Sequence, residues 1–430
     1  MDFGHWLSSA TGRRPDRIAV EAPGASLTYR ELLLRAVRAA GALHLRSVAR
    51  GGRVAVALEP GVPFAEALHA CLLLGAAAVP VDPRLGPAER ARVLRDADLV
   101  VEQPLGGGGV FAIPAPPDAG DTALVVHTSG TTGDPVPIEL TYGNVAANTR
   151  GVQQALGLGD DERWLCPLPL THVGGLMCLL RSAIMATTVV LAPPPFDAET
   201  VAAQLRDDGI TVASLVPTQL QKLLDAGATP GPALRRILLG GGPMPRPLLE
   251  RARDAGFPVC ASYGLTQACS TVTVSEPGDL ETAGRALRGV GVAIAPDGEI
   301  RVSGPTVNRL GGLRTGDVGR LEPDGRLVVT GRKGELIITG GENVAPAEVE
   351  AVLVAHPAVA DAAVVGRADA LWGEAVTAFV VPRPGVRLDA AQLHRHCTAR
   401  LAPFKVPKSF ELVSALPRTA SGKVRRIDLR

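Results

Sequence analysis

Lysine is scarce in this chain of 430 residues: Lys222, Lys333, Lys405, Lys408 and Lys423 are the only ones, and arginine supplies the rest of the 44 basic side chains. A chain that uses arginine for generic surface charge makes each lysine worth a question. Lys423 follows Ser421-Gly422 in a turn-like tail, and a compact ammonium on a flexible stem suits a group that must reach a phosphate or carboxylate. An excess of charge is also missing. Against the 44 basic residues stand 43 acidic ones, a net charge of +1, so no electrostatic pull toward nucleic acid or a membrane surface is expected. No apolar run reaches the roughly 20 residues of a spanning helix; Leu72–Val81 is short and reads as buried core. The start Met1-Asp2-Phe3-Gly4-His5 lacks the basic-then-apolar pattern of a signal peptide. Six cysteines lie at positions 71, 166, 178, 260, 269 and 397 without a CxxC pair, as in the reduced core of a cytoplasmic protein. His394, His396 and Cys397 are neighbours, but no further ligand at suitable spacing completes a metal site.

What is present is ample material for burial, 46% apolar residues over a length that should split into two or more domains. Tyr29–Leu45 and Phe64–Leu74 have helical spacing, and Arg53–Leu58 and Ala78–Val81 read as strands. This alternation predicts a parallel sheet with crossover helices. A second α/β series follows, with a helix over Asn144–Leu156 and strands at Thr188–Leu191 and Thr211–Val216. From Val259 to Val329 short β-rich runs alternate with turns such as Pro296-Asp297-Gly298 and Pro323-Asp324-Gly325, which predicts a small barrel-like sheet of antiparallel hairpins. Gly331–Gly334 reads as a junction. Beyond it, helices at Pro346–Ala355 and Ala390–Leu401 and strands at Asp361–Val365 and Ala375–Val381 form a small α+β unit. The expected class is therefore α/β: a large N-terminal part of two α/β subdomains plus a β-barrel-like subdomain, hinged to a small α+β C-terminal domain.

Val126-His127-Thr128-Ser129-Gly130-Thr131-Thr132-Gly133-Asp134-Pro135 follows the apolar run Ala123–Val126. A strand entering a loop of hydroxyls and glycines is a phosphate cradle in outline, since glycine lets the backbone approach an anion while N–H and hydroxyl groups donate. It is not a Walker A loop, because no Gly-Lys-Ser/Thr follows. Three more segments come in order: Ser262-Tyr263-Gly264-Leu265-Thr266-Gln267; Arg314-Thr315-Gly316-Asp317, running on to Thr330-Gly331-Arg332-Lys333-Gly334 and Gly340-Gly341-Glu342-Asn343; and Pro417-Arg418-Thr419-Ala420-Ser421-Gly422-Lys423.

Together these four segments resemble the adenylate-forming superfamily of acyl-CoA synthetases, luciferases and peptide-synthetase adenylation domains, over nearly the whole chain. The resemblance implies ATP-dependent activation of a carboxylic acid through an acyl-adenylate, with ATP, Mg2+ and CoA taking part. It implies that Thr128, Ser129, Gly130, Thr131, Thr132 and Gly133 clasp the β- and γ-phosphates, because pyrophosphate is the leaving group and its charge must be held. Tyr263, beside Ser262 and Gly264, would stack on adenine, and Thr266 would bond a phosphate. Gly240, Gly241 and Gly242 would lie along the adenine and the acyl pocket. Asp317 would accept both ribose hydroxyls, with Arg332 adding a donor. Lys423 would bridge the substrate carboxylate and the α-phosphate. Gly334 would be the hinge between residues 1–330 and a mobile lid of residues 335–430, across positions 331–334. The loop Gly340–Asn343 would swing in for the second half-reaction.

Three positions depart from the superfamily pattern. Val136 and Pro137 replace a lysine and a glycine at the end of the phosphate loop. Gln267 stands where a magnesium-holding glutamate is usual, and an amide oxygen is a weaker ligand for a hard cation. Pro167-Leu168-Pro169-Leu170-Thr171-His172-Val173-Gly174-Gly175 is similar to an acyl-pocket helix start, with His172 lining or gating the pocket and Gly264 and Ser270 on its substrate side. Arg181 follows among Met177, Cys178, Leu179, Leu180, Ile184 and Met185. A cation there suits an acid with a second carboxylate. This combination is most like the o-succinylbenzoate–CoA ligase subgroup of menaquinone synthesis, although Gly174 stands where that subgroup often has serine. Two alternatives remain open: an adenylating enzyme of specialised metabolism that passes an aryl acid to an amine, carrier protein or other small nucleophile, and a non-catalytic nucleotide-binding protein. The expected partner is a small aryl or dicarboxylic acid, with no nucleic acid and no membrane; a homodimer is left open.

Overall fold

The computed structural model describes residues 5–109, 112–129, 135–207, 209–307, 311–340, 342–418 and 424–429. The chain is α/β, with four sheets. The first has five strands in the order Leu99–Val101, Arg53–Val56, Ala77–Pro80, Thr122–Ser129, Pro135–Thr141. All are parallel but the last, which folds back on Thr122–Ser129 as a hairpin. The alternation read between residues 28 and 100 is this sheet with its crossover helices Val62–Leu74 and Pro87–Leu94.

The second sheet has nine strands. Its parallel centre runs Val259–Tyr263, Arg236–Leu239, Val212–Leu215, Arg163–Cys166, Thr188–Leu191 and Ile18–Ala22. Antiparallel strands cap both ends: Ala25–Thr28 at one, Thr273–Val274 and Arg285–Ala286 at the other. The β-rich stretch expected from Val259 therefore begins later than the sequence suggests. Val259–Tyr263 pairs in parallel with Arg236–Leu239 inside the wide sheet. The antiparallel unit is a four-stranded sheet of Gly291–Ile294, Glu299–Ser303, Leu313–Leu321 and Leu327–Arg332.

The last sheet is built from Glu342–Val344, Ile337–Thr339, Gly373–Pro382 and Val359–Asp369, with Ser409–Leu412 added in parallel to Gly373–Pro382. Helices Pro346–Val354 and Ala390–Thr398 cover it. Its buried clusters draw on residues from Ile337 to Leu429, whereas the larger clusters draw on Trp6 to Leu327. Among the described residues no helix is long and apolar enough to cross a membrane, and all six cysteines are buried and free.

Candidate active site

The strand Thr122–Ser129 and its return Pro135–Thr141 pair Thr128 with Val136 and Ser129 with Pro135. The phosphate-loop residues Gly130, Thr131, Thr132 and Gly133 lie outside the described residues, as does the side chain of Ser129. On the stem, the Thr128 hydroxyl donates to the Val136 carbonyl at 3.5 Å, and Val136 is 44% exposed. A hydrocarbon stands in solvent where the superfamily places an ammonium.

The return strand packs on a short turn, Thr266–Ala268, so Thr266 and Gln267 come beside the stem. This turn is shaped by two close approaches. A Cβ on Gly264 would lie 1.7 Å from the Ser270 carbonyl oxygen, so only glycine fits. Cys269 and Ser270 take positive φ, 56° and 85°, an uncommon conformation for residues with side chains. The backbone N–H of Ser270 donates back to Leu265 at 3.2 Å. Gly240 follows strand Arg236–Leu239, and a Cβ there would meet the Ser262 hydroxyl oxygen at 2.7 Å. That hydroxyl donates to the Leu239 carbonyl at 2.8 Å. Gly241, at φ +82°, turns the chain away, with Gly242 next to it. The ends of two adjacent parallel strands thus carry the two segments assigned to adenine, and the outer ends of parallel strands are where ligands bind in open α/β sheets.

Tyr263 ends its strand 9% exposed. Its hydroxyl donates to Asp317 Oδ2 at 2.7 Å. Burial and the Asp317 charge push the phenol's pKa up, so it stays a donor. Asp317 faces Arg332 across the antiparallel ladder, with Arg332 Nε 3.6 Å from Oδ1. The sequence reading missed Thr315, whose hydroxyl accepts the Asp317 N–H at 3.1 Å and donates to the Ile300 carbonyl at 2.8 Å. It lies inside the Arg314–Asp317 segment, so the signal was there. The structure brings Tyr263 to Asp317, 54 residues further along the chain, with Arg332 on the neighbouring strand.

His172 is the N-cap of helix Val173–Met185. The approach loop is held tightly, since a Cβ on Gly175 would lie 2.3 Å from the Pro169 carbonyl oxygen and Gln219 Nε2 donates to the Pro167 carbonyl at 2.9 Å. About two and a half turns along the helix, Arg181 is 1% exposed. Its Nη2 donates to Asn148 Oδ1 at 2.8 Å and to the Thr271 hydroxyl at 3.2 Å. The guanidinium lies 5.5 Å from the Trp164 ring centroid, while Nε is buried without a hydrogen-bond partner. Among the described residues it makes no ion pair, and its surroundings include the thiols of Cys178, Cys269 and Cys166. Burial lowers its pKa. Asn148 and Thr271, which hold it, carried no motif signal.

Gly331 and Arg332 belong to the strand Leu327–Arg332, so of positions 331–334 only Lys333 and Gly334 lie in the following turn Lys333–Glu335. A Cβ on Gly334 would meet nothing within 4 Å, and its φ is not positive. Lys423 and Gly341 lie outside the described residues. No group of three or more His, Cys, Asp or Glu suited to a metal occurs among the described residues.

The chain matches the models of the AMP-binding enzyme family at residues 7–102 and 102–311 and of the AMP-binding enzyme C-terminal domain at 348–423. It is 37% identical to a 2-succinylbenzoate–CoA ligase of Bacillus licheniformis, with 99% of each chain covered. An o-succinylbenzoate CoA synthetase from Bacillus subtilis, solved with the acyl-adenylate intermediate OSB-AMP, overlays at TM-score 0.92 and 35% identity, covering 99% of this chain and 97% of that one. The same enzyme with ATP and a magnesium ion overlays at 0.91 and 35% identity, covering 99% and 98%. With matches of this extent over both parts, the chain belongs to the AMP-binding enzyme family and is an adenylate-forming acid–thiol ligase.

Proposed function

We propose that this ligase activates o-succinylbenzoate, an aryl acid with two carboxylates, and passes the acyl group to CoA in menaquinone synthesis. First, an oxygen of one carboxylate bonds to the α-phosphorus of ATP and the bond to the bridging oxygen of the β-phosphate breaks, releasing pyrophosphate. Then the CoA sulfur bonds to the acyl carbon, the acyl–phosphate bond breaks, AMP leaves and the thiol proton goes to solvent. Relatives named for this acid and this transfer support the reading.

The observation that carries the choice of acid is Arg181. A buried guanidinium held, among the described residues, by an amide, a hydroxyl and an aromatic ring is costly unless a counter-charge arrives. The carboxylate of the acid remote from the reacting one supplies it, and His172, with Gly264 and Ser270, lines the way in. The test is pyrophosphate release over a panel of aryl and dicarboxylic acids, with and without CoA. Release with o-succinylbenzoate and thioester formation with CoA support the reading; faster turnover of a monoacid, or an acceptor other than CoA, points to the specialised-metabolism alternative.

Within this reading Asp317 and Arg332 take the ribose, Tyr263 with Gly240, Gly241 and Gly242 the adenine, and residues 128–133 with Thr266 the phosphates. Lys423 offsets charge as one anion attacks another. Residues 1–330 and 335–430 are two domains pivoting at Gly334, which the separate make-up of their buried clusters supports. Magnesium supplies charge neutralisation when it arrives with the triphosphate. Gln267 offers it a neutral oxygen, a weaker ligand for a hard cation than a carboxylate, and among the described residues no group of three or more His, Cys, Asp or Glu suited to a metal occurs. A cytoplasmic location without nucleic-acid partners fits the near-zero net charge and the free cysteines.

A further inference from the structure

We propose that Arg426 is a positioning residue for adenylation, holding the stem of the segment that carries Lys423; this rests on the role proposed for that lysine. The residues that flank this segment are joined to each other. Arg418 and Val424 form an antiparallel bridge, and the Arg425 N–H donates to the Pro417 carbonyl at 2.8 Å. The stem is fastened to the C-terminal sheet on both sides. Arg418 pairs with Asp361. Leu416 and Leu429 are buried with Ala363, Val365 and Phe379, and Arg367 Nε donates to the Leu429 carbonyl at 3.3 Å.

Arg426 joins this stem to two carboxylates. Its Nη2 lies 2.9 Å from both oxygens of Glu350, and its Nη1 lies 2.9 Å from Glu335 Oε2. Its side chain is 18% exposed and that of Glu350 12%. Besides Arg426, Glu350 accepts the Val364 N–H at 2.8 Å. Burial pushes the Glu350 pKa up while Arg426 opposes it, so removing the arginine strands a carboxylate away from water. Glu335 is the residue directly after Gly334. One guanidinium, three residues beyond Lys423, thus joins the lysine's stem, the helix Pro346–Val354 and the first residue past the pivot. Displacing a reacting group by about 1 Å can lower a rate about a hundredfold, so a fastening at this point is felt at the ammonium.

The experiment separates the two half-reactions in the full-length protein. Acid-dependent exchange of labelled pyrophosphate into ATP reads adenylation with o-succinylbenzoate, and thioester formation from preformed acyl-adenylate and CoA reads the second step. Arg426→Ala is expected to lower the exchange kcat about ten- to hundredfold. The KM values for ATP and acid and the thioester step are expected to stay within about threefold, less than removal of one ordinary hydrogen bond would change them. Arg426→Lys should recover part of the loss. Glu335→Gln, which removes one partner of the arginine at a residue 38% exposed, should give a smaller loss of the same kind in a folded protein. On a Lys423→Ala background Arg426→Ala should add almost nothing, because both act through one group. Equal losses in both half-reactions, or a full additional loss on that background, would show a merely structural arginine. An impaired Lys423→Ala beside an unimpaired Arg426→Ala overturns this inference alone; an unimpaired Lys423→Ala overturns the lysine's role and this inference with it.

Discussion

On the side assigned to the nucleotide, Asp317 meets the Tyr263 hydroxyl at 2.7 Å, with Arg332 at 3.6 Å and Thr315 bracing its backbone. On the side assigned to the acid, Arg181 is 1% exposed, yet among the described residues it is held by neutral groups and its Nε has no hydrogen-bond partner. One set of groups is arranged with its charges already compensated; the other keeps a charge uncompensated. The nucleotide is the same for every enzyme of this kind, so its cradle can be satisfied in advance. The acid varies, and on the role proposed for Arg181 selectivity for a second carboxylate would follow from a cation that stays unsatisfied with any other ligand.

The deepest break in this comparison comes from outside both sides. Lys423→Ala should slow adenylation at least about a hundredfold, the scale of losing one preorganised charge-stabilising donor, and leave thioester formation from preformed adenylate largely intact. Near-normal pyrophosphate exchange would make Lys423 an ordinary tail residue. Arg181→Ala comes next. It should raise the KM for a diacid about ten- to a hundredfold, the loss of a charge-assisted contact of about 1.5–3 kcal/mol, with far less effect on a monoacid of similar shape. Equal effects on both acids would erase the distinction drawn between the two sides.

Asp317→Asn should act in the opposite sense, raising the KM for ATP about tenfold by weakening hydrogen bonds to a charged acceptor, with no discrimination among acids. Titration of ATP binding checks it directly; unchanged affinity would move the ribose away from Asp317. Gln267→Glu is the mildest. A carboxylate beside the triphosphate should lower the magnesium concentration needed for half-maximal rate by a few-fold. An unchanged magnesium profile would place residue 267 away from the metal.

The regular skeleton was legible where local pattern decides it. Strand Thr188–Leu191 has the limits its apolar run suggests, and helix Tyr142–Leu156 begins two residues before the periodicity does. There the Thr141 capping box sets the start. Val259–Tyr263 was assigned to the wrong sheet because the turns after it are antiparallel ones, while its own partner, Arg236–Leu239, is a parallel strand. The pairing of Ile18–Ala22 with Thr188–Leu191 spans far too much sequence for any local pattern to announce. In the site, glycines at 264 and 240 carried their own explanation once the approaching atoms were seen. The direction of Arg181 did not. Its helix is apolar almost all round, so spacing gives no face to read, and only the packing of Asn148, Trp164 and Thr271 fixes that it points inward.

Gly334 has open space where a side chain would be and a backbone angle that any residue adopts. Glycine in such a place weakens the fold by enlarging the unfolded ensemble, typically by about 0.4–1 kcal/mol relative to alanine. Nothing in the arrangement described here rewards that. Its neighbours are tethered on opposite sides, Lys333 to Asp297 at 2.5 Å and Glu335 to Arg426 at 2.9 Å, so the proposed pivoting would concentrate its torsion on this one residue. On the proposed hinge role the glycine would serve a minor population of molecules, one whose backbone angles other residues resist. Gly334→Ala should raise Tm slightly, keep pyrophosphate exchange and shift occupancy away from that population, slowing thioester formation; a variant with both half-reactions unchanged would show that the pivot needs no glycine.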